Sequence, residues 1–262
     1  MPVPGVAAAV SMMREARIRR VNQYGPWMLG GVAILALIAY EAAKHHVVNR
    51  LDIIFFCCLV PTVVLHEISH GLVAYWCGDD TAKQAGRLSL NPIRHIDPIG
   101  TILLPILLIV TFGQAFGWAR PVPVNVGRLR HPRNQAVLVG LAGPATNILI
   151  AVIVGLLCRF LASPADLYYW RIGYYLPPSI GMQILFLLGE VNVIIAAFNL
   201  IPIPPLDGSA VLERLLPRSA LPGYYRLRQL SMILVLILVF AAPGVLDTIF
   251  THAINWWGNI VL

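Results

Sequence analysis

Charged residues are scarce in this chain of 262 amino acids. Only 12% of the residues are Asp, Glu, Lys or Arg, whereas 58% are hydrophobic, and the mean hydropathy is +0.75. A soluble domain has roughly 25% charged residues, so this composition excludes an ordinary water-soluble enzyme, and it equally excludes a disordered chain. Because the chain also contains several apolar runs of bilayer length, we predict an all-α polytopic membrane protein.

Cysteine is rare as well, and its four occurrences form no CxxC pair: they are Cys57, Cys58, Cys77 and Cys158. All four lie within or at the ends of apolar runs, so we interpret them as small buried residues and not as disulfides or thiolate ligands. The net charge of +7 would suggest nucleic acid as the partner of a soluble protein. In a membrane protein it indicates basic loops that face anionic headgroups. We therefore expect a lipid bilayer as partner and no nucleic acid.

Six apolar runs follow one another along the chain, at about residues 27–43, 53–77, 99–118, 134–161, 180–201 and 229–250. They predict five to six transmembrane segments in a single membrane-embedded domain, residues 1–262, which begins with a basic cytoplasmic segment over about residues 1–26. A signal peptide is the alternative for the first run, but the run is long for an apolar signal region and its basic stretch lies far from the start. The tail after the sixth run carries Trp256 and Trp257, which suit headgroup depth.

The distribution of basic residues predicts that the third run re-enters the membrane and does not cross it. If the run returns to its starting side, 15 of the 19 Lys and Arg residues lie on one side of the membrane; if it crosses, the split is 9 to 10. The positive-inside rule therefore favours a re-entrant hairpin, and it places the N-terminus in the cytoplasm of a multi-pass protein of the cell membrane. Pro105, Gly113 and Gly117 interrupt the run, as suits a broken segment packed within protein.

The motif that carries chemistry is HExxH, here His66-Glu67-Ile68-Ser69-His70 in the second run. On a helix, residues i and i+4 share one face, so His66 and His70 can bind one metal ion, and Glu67 lies close enough to reach a water on that ion. This set suits one Zn²⁺ per chain with Glu67 as general base. The alternative is a polar helix face packed against other helices, although a lone charge at a helix centre costs about 2.5–3.5 kcal/mol on insertion scales.

A catalytic zinc needs a third protein ligand, and few acidic residues lie in or near the apolar runs: Glu41, Asp52, Glu190, Asp207 and Asp247. Asp207 follows a cluster of three prolines in four positions, which ends the helix and forces an extended segment. Unwound backbone at membrane depth is tolerated only where it lines a site. In the hairpin topology Asp207 and His70 both lie toward the cytoplasmic end. The alternative is that Asp207 only caps the short helix that follows.

Together these motifs resemble the site-2 protease family of zinc intramembrane metalloproteases. The chain has HEISH at 66–70 and NLIPIPPLDG at 199–208, and the resemblance includes GRLSLNPIRHIDP at 86–98, GWARPVPVN at 117–125 and AGPATN at 142–147. It implies that His66, His70 and Asp207 bind the zinc and that Glu67 is the base. It covers about residues 50–230 and points to the compact members, because the loops are too short for an inserted PDZ module and we expect no CBS pair.

The resemblance also suggests a role for Asn147, since the corresponding asparagine of the family lies near the zinc. Its amide could donate to the oxyanion that forms during attack, which makes it a second catalytic candidate; an interhelical hydrogen bond is the alternative. Glu190 and Asn192 either support a ligand histidine or make plain interhelical contacts. We interpret the other histidines as surface or structural residues: His45, His46, His95, His131 and His252.

The predicted function is a zinc-dependent endopeptidase that cuts in or beside the transmembrane helix of single-span or other membrane-protein substrates, as in regulated intramembrane proteolysis. A substrate helix hides its scissile carbonyl and has to unwind. We expect segments 87–90 and 120–124 to form a small β-sheet that receives the unwound strand, unless they only close the cytoplasmic face. A regulatory partner could supply the substrate gating that extra domains provide elsewhere.

Two other functions compete with this one. A membrane metallopeptidase with a glutamate as third ligand would need an aspartate four residues after that glutamate, but Ile194 follows Glu190 at this distance. A metal-binding transporter or a non-catalytic scaffold is the non-enzymatic alternative. The intact set of His66, Glu67 and His70, with Asp207, argues against an inactive form.

Overall fold

The computed structural model describes residues 50–105, 107–108, 117–171 and 179–261. The first apolar run and the basic segment before it lie outside these residues, so the N-terminal segment and the single-domain organisation stay predictions. The described residues from Ile54 onward form one compact unit. Of a second unit, Met1–Ile53, the structure describes only the first residues of a helix.

The described residues are helical apart from irregular connections, as the composition predicts. The α-helices are α1 (Arg50–Trp76), α2 (Thr81–Gln84), α3 (Pro132–Leu161), α4 (Pro164–Arg171), α5 (Ile180–Asn199), α6 (Ser209–Leu215), α7 (Leu221–Gln229), α8 (Ser231–Ala241) and α9 (Pro243–Val261). Two 3-10 turns, Pro92–His95 and Val126–Arg128, and a π-helical turn, Pro98–Leu103, lie in the long connection between α2 and α3.

Three of these helices, α1, α3 and α5, are long and apolar enough to cross a membrane, and α7 with α8 adds a fourth if this pair, bent by 66°, is one span. In a bilayer a helix satisfies its own backbone N–H and C=O groups, which is why long apolar runs fold this way. The predicted count of five to six segments is not confirmed. The first run is not described, and the sixth divides at Ala242 into α8 and α9.

The two ends of the third apolar run meet in the structure. The backbone N–H of Trp118 donates to the carbonyl of Gly100 at 3.1 Å. The N–H of Arg130, just before α3, donates to the carbonyl of Cys77, just after α1, at 3.0 Å. The connection from α1 to α3 therefore leaves and returns at the same end of these helices. A re-entrant hairpin has this property, whereas a single crossing does not.

Helix α9 packs on α3 and α5 through Trp257. The indole is fully buried, its Nε1 donates to the carbonyl of Ala151 at 2.7 Å, and it meets the ring of Phe186 edge to face with centroids 6.0 Å apart. The ring of Trp257 therefore lies in an apolar pocket between the helices, and its predicted headgroup depth stays a prediction. Trp256, its neighbour, is 48% exposed.

The predicted small β-sheet is not confirmed, since the described residues contain no strand. Segments 87–90 and 120–124 do lie side by side, but a side chain joins them. Arg87 donates through Nη2 to the carbonyl of Arg120 at 2.6 Å and more weakly to that of Pro121 at 3.4 Å. The backbone carbonyls that a sheet would use are thus bound by a guanidinium.

The far end of segment 120–124 is fixed by Asp79, which is fully buried. Its carboxylate accepts hydrogen bonds from the backbone N–H of Asn125 at 2.6 Å and from the hydroxyl of Thr81 at 2.5 Å. Burial alone would raise the pKa of the Asp79 carboxyl, but these donors and the charge of Arg128 outweigh it and lower the pKa below its ordinary value of 3.8. The ionised form therefore holds this loop in place.

Candidate metal centre

His66 and His70 lie one turn apart on a buried face of α1. The two residues are 5% and 9% exposed, and their ring centroids are 4.7 Å apart. The i, i+4 spacing directs both rings toward α3, where each meets a hydrogen-bond partner. The helix that the apolar run predicts thus brings both imidazoles of the motif to one point.

Asp207 reaches the same point from the connection between α5 and α6. The proline cluster ends α5, and the chain turns at Gly208, whose N–H donates to the carbonyl of Asn199 at 2.7 Å. A Cβ at Gly208 would lie 2.2 Å from the Leu200 carbonyl oxygen, so this turn requires glycine. The N-cap of α6 is Gly208, with no side-chain cap. Asp207 therefore does not act as the helix cap that was its alternative role.

The three ligand atoms form a small triangle. The Nε2 atoms of His66 and His70 are 3.1 Å apart, and the Oδ2 atom of Asp207 lies 3.1 Å from the first and 3.4 Å from the second. Ligands at the usual zinc distances of about 2.0–2.1 Å in a tetrahedron are about 3.3 Å from one another. The triangle therefore has the size that a tetrahedral zinc ion requires.

The hydrogen bonds behind the rings identify which atoms face this triangle. His70 donates through Nδ1 to the carbonyl of Val139 at 2.6 Å, and His66 donates through Nδ1 to Oδ1 of Asn147 at 2.5 Å. In a neutral ring the other nitrogen, Nε2, then presents a lone pair. Asp207 Oδ2 is buried without a hydrogen-bond donor. Three acceptors facing one another are unfavourable alone and suit a cation, so the residues fit zinc.

Gly143 of α3 lies directly against the two imidazoles. A Cβ at this position would be 2.5 Å from His66 Cε1 and 2.5 Å from His70 Nε2. Only a hydrogen atom fits between the helix backbone and the rings. Gly143 and the Val139 carbonyl were both missed by sequence reasoning: the AGPATN motif was noticed without a role for its glycine, and a backbone carbonyl leaves no signal in a sequence.

The carboxylate of Glu67 is held beside the metal centre by segment 120–124. Its Oε2 atom accepts a hydrogen bond from the backbone N–H of Val122 at 2.8 Å. Pro121 and Pro123 have no N–H, so Val122 supplies the donor of this Pro-Val-Pro stretch. Arg87 binds the carbonyls just before it, which fixes the peptide group that holds Glu67.

Asn147 is fully buried on α3, behind His66. Its side chain contacts Nδ1 of the imidazole, on the far side of the ring from Nε2 and the ligand triangle. Its Nδ2 donates to Oδ1 of Asn192 on α5 at 2.8 Å. The proposed partner of a ligand histidine, Asn192, thus reaches His66 only through Asn147.

The other candidates lie away from the triangle. Among the described residues, His66, His70 and Asp207 are the group of at least three potential ligands close enough to hold an ion. Glu190 is half-buried and Asp247 exposed. His95 is buried and donates through Nε2 to the carbonyl of Ser89 at 2.8 Å. His131 and His252 are exposed, and His45 and His46 are not described.

Comparison with known proteins finds relatives that are named zinc metalloproteases. Residues 177–242, which include Asp207, match the model of Peptidase family M50. The chain is 40% identical over 160 residues to the Bacillus subtilis protein named "Putative zinc metalloprotease YwhC", which is 61% of this chain and 67% of that protein. It is 29% identical over 224 residues to the Mycolicibacterium smegmatis protein named "Putative zinc metalloprotease Rip2", which is 85% of this chain and 76% of that protein.

A more distant relative is the Methanocaldococcus jannaschii protein named "Zinc metalloprotease MJ0392", 22% identical over 166 residues, which is 63% of this chain and 35% of that protein. No solved structure matches the chain. The identity and coverage of the Bacillus subtilis relative, with the family match, decide the assignment. The chain belongs to peptidase family M50, the site-2 protease family of zinc metalloproteases.

Proposed function

We propose that this metalloprotease is an intramembrane endopeptidase, which cuts peptide bonds in or beside the transmembrane helix of another membrane protein. One observation carries the proposal: both histidines of the metal centre lie on α1, a helix long and apolar enough to cross a membrane. Hydrolysis at this centre would therefore take place at bilayer depth, where the available peptide bonds belong to membrane-embedded chains.

Each residue at the centre has a distinct chemical role in this proposal. His66, His70 and Asp207 would hold the zinc, which when bound supplies Lewis-acid activation of a water and of the scissile carbonyl. Glu67 would accept a proton from the attacking water and return it to the leaving amine. The Val122 N–H fixes Oε2 of this carboxylate, so we assign the proton transfer to Oε1.

For Asn147 the geometry favours support of His66 over donation to an oxyanion. Its side chain is bound to the ring nitrogen that faces away from the ligand triangle and to Asn192. An oxyanion on the scissile carbonyl would form on the Nε2 side of the ring, where the ligand triangle lies. We therefore propose that Asn147 acts through His66 and does not touch the substrate.

The proposal includes pairing of the unwound substrate strand with the backbone of segment 120–124, but few donors of this segment are free for it. Of the donors in segment 120–124, Val122 N–H is bound to Glu67 and Arg120 N–H to the carbonyl of His95. The two prolines provide none. Arg87 binds the carbonyls of Arg120 and Pro121, so an unwound substrate strand would pair with the backbone of the later residues, 122–124.

The experiment that tests the proposal is cleavage of a single-span peptide by the purified chain in proteoliposomes. Glu67→Gln keeps the size of the side chain but cannot take the proton, so we expect zinc to stay bound while the cleavage rate falls about 10²–10⁴-fold. Glu190→Gln, a half-buried acid of α5 away from the centre, is the matched control and should cleave normally. Zinc transport into the vesicles without cleavage would replace the proposal with the transporter alternative.

We further propose a multi-pass protein of the cell membrane with a cytoplasmic N-terminus, and with Arg128 and Arg218 on that same side. The start of α3 and the end of α6 are joined, which supports a common side for both loops: Arg133 donates to the carbonyls of Arg214 and Leu216, and Arg214 donates to Oδ1 of Asn134.

Single cysteines at positions 128, 218 and 165, in a chain without its native cysteines, test this topology. An impermeant thiol reagent applied to intact cells should label the Ala165 position alone. Labelling of position 128 from outside would contradict the cytoplasmic placement of the metal centre.

A further inference from the structure

A hydrogen-bond relay connects α5 to the metal centre. It runs from the Leu188 carbonyl through Asn192 and Asn147 to His66. Asn192 donates through Nδ2 to the backbone carbonyl of Leu188 at 2.8 Å and to the hydroxyl oxygen of Thr62 at 2.9 Å. Its Oδ1 accepts from Asn147 at 2.8 Å, and Oδ1 of Asn147 accepts from His66. Thr62, Asn147 and Asn192 are 1%, 0% and 0% exposed, so water does not compete for these bonds.

The direction of every hydrogen bond in this relay follows from its first acceptor, the Leu188 carbonyl. A backbone carbonyl only accepts, so the atom of Asn192 beside Leu188 has to be the amide nitrogen. The oxygen of Asn192 then faces Asn147 and can only accept, which turns the amide nitrogen of Asn147 toward it. The oxygen of Asn147 in turn faces His66, and the ring has to carry its proton on Nδ1.

We propose that Asn192 and Asn147 are positioning residues that select the metal-binding tautomer of His66, with the Leu188 carbonyl as the reference point. Nε2 of His66 is thereby left with its lone pair toward the ligand triangle. His70 needs no such relay, because the Val139 carbonyl contacts its Nδ1 directly. This inference rests on the zinc site proposed above.

The relay also joins three helices at the level of the metal centre. Thr62 lies one turn before His66 on α1, so Asn192 binds α1 directly at Thr62 and indirectly at His66. Helix α3 contributes Asn147 and α5 contributes Asn192. A packing role alone would require only that the space be filled, whereas the relay requires donors and acceptors in a fixed order, and this difference can be tested.

The decisive test measures zinc affinity of the purified full chain by competition with a chelating dye. Asn192→Leu fills the space but removes the orientation of Asn147, and zinc affinity should fall about tenfold or more, within the 10–100-fold range typical of such outer partners. Adding Asn147→Asp to this variant should restore most of the loss, because a carboxylate only accepts and fixes the His66 tautomer by itself.

The single variant Asn147→Asp should bind zinc less well than the double variant. In the single variant a carboxylate oxygen at position 147 faces Oδ1 of Asn192, and two acceptors repel each other. Rotating the Asn192 amide would instead place its Oδ1 against the Leu188 carbonyl, which is also an acceptor. Two controls accompany these variants. Thr62→Val leaves the bond from Asn192 to the Leu188 carbonyl in place and should lower zinc affinity far less than Asn192→Leu does. Gln183→Leu, at a buried amide more than two turns away on α5, should not change it.

Several results would overturn the relay. Zinc affinity of Asn192→Leu equal to that of the original chain excludes it, and so does a double variant no better than Asn192→Leu. If Asn192→Leu does not fold, as judged by helical circular dichroism, Asn192→Ser is measured instead, with the same expected loss and the same recovery. An original chain that binds no zinc would refute the metal site itself, which is a different outcome from a failed relay.

Discussion

Replacing Gly143 by alanine tests the geometry of the metal centre with a single methyl group. The new Cβ would lie 2.5 Å from His66 Cε1 and 2.5 Å from His70 Nε2, whereas ordinary contacts begin at 3.4 Å. The rings or α3 would have to separate by about 0.9 Å, the difference between these distances. Neither can move freely, because His66 and His70 are hydrogen-bonded to α3 itself.

The same substitution should affect metal binding far more than the stability of the fold. Alanine is preferred over glycine inside a helix by about 1 kcal/mol, and overpacking costs about 1–3 kcal/mol, so the free energy of unfolding should change by at most about 2 kcal/mol. Zinc sites tolerate deviations of only about 0.2 Å in ligand distances. A displacement several times larger should lower zinc affinity by about 100-fold or more, while the chain stays folded.

The assay is zinc content after equilibration with a chelator, together with thermal unfolding followed by circular dichroism. Gly181→Ala is the matched control, since a Cβ there meets nothing within 4 Å on the helix α5, and it should keep its zinc. A Gly143→Ala chain that holds zinc with the affinity of the original would refute the close approach of α3 to the two rings.

Three further predictions follow from the surroundings of the centre. Asp207→Asn should lose zinc, because a neutral amide is a poor ligand for this ion, while Asp247→Asn should keep it in the same metal analysis. Arg87→Gln should slow peptide cleavage with zinc content unchanged, since it loosens the peptide group that holds Glu67, the proposed base; equal cleavage rates would exclude this role. Because the folded pKa of Asp79 is lowered, its contribution to stability is present above pH 3.8 and is lost as the pH falls through the folded pKa. Asp79→Asn should therefore flatten the acid side of a plot of melting temperature against pH.

That His66, His70 and Asp207 come together could be predicted from the sequence. The HExxH spacing puts His66 and His70 on one helix face, a rule that operates within a few residues. Asp207 was placed beside them by the prolines that end the preceding helix, by the hairpin topology and by the family resemblance. The meeting of the two ends of the third apolar run could also be predicted, because the number of basic residues in each loop indicates the side of the membrane on which the loop lies.

What could not be predicted depends on contacts between helices. Gly143 looks like any helix glycine until the rings of α1 are placed against it, and the Leu188 carbonyl that orients Asn192 belongs to the backbone. The sheet was expected from alternation in segments 87–90 and 120–124. Alternation says nothing of the Arg87 guanidinium, which binds the carbonyls in question.

X-ray absorption at the zinc edge of the purified chain tests the central claim most directly, because it reports the atoms around the metal without relying on activity. Ligation by His66, His70 and Asp207 predicts nitrogen and oxygen neighbours at about 2.0–2.2 Å, with the signature of two imidazole rings and no sulfur at about 2.3 Å. A sulfur neighbour, or a spectrum with fewer than two imidazoles, would contradict the metal centre described for this protease.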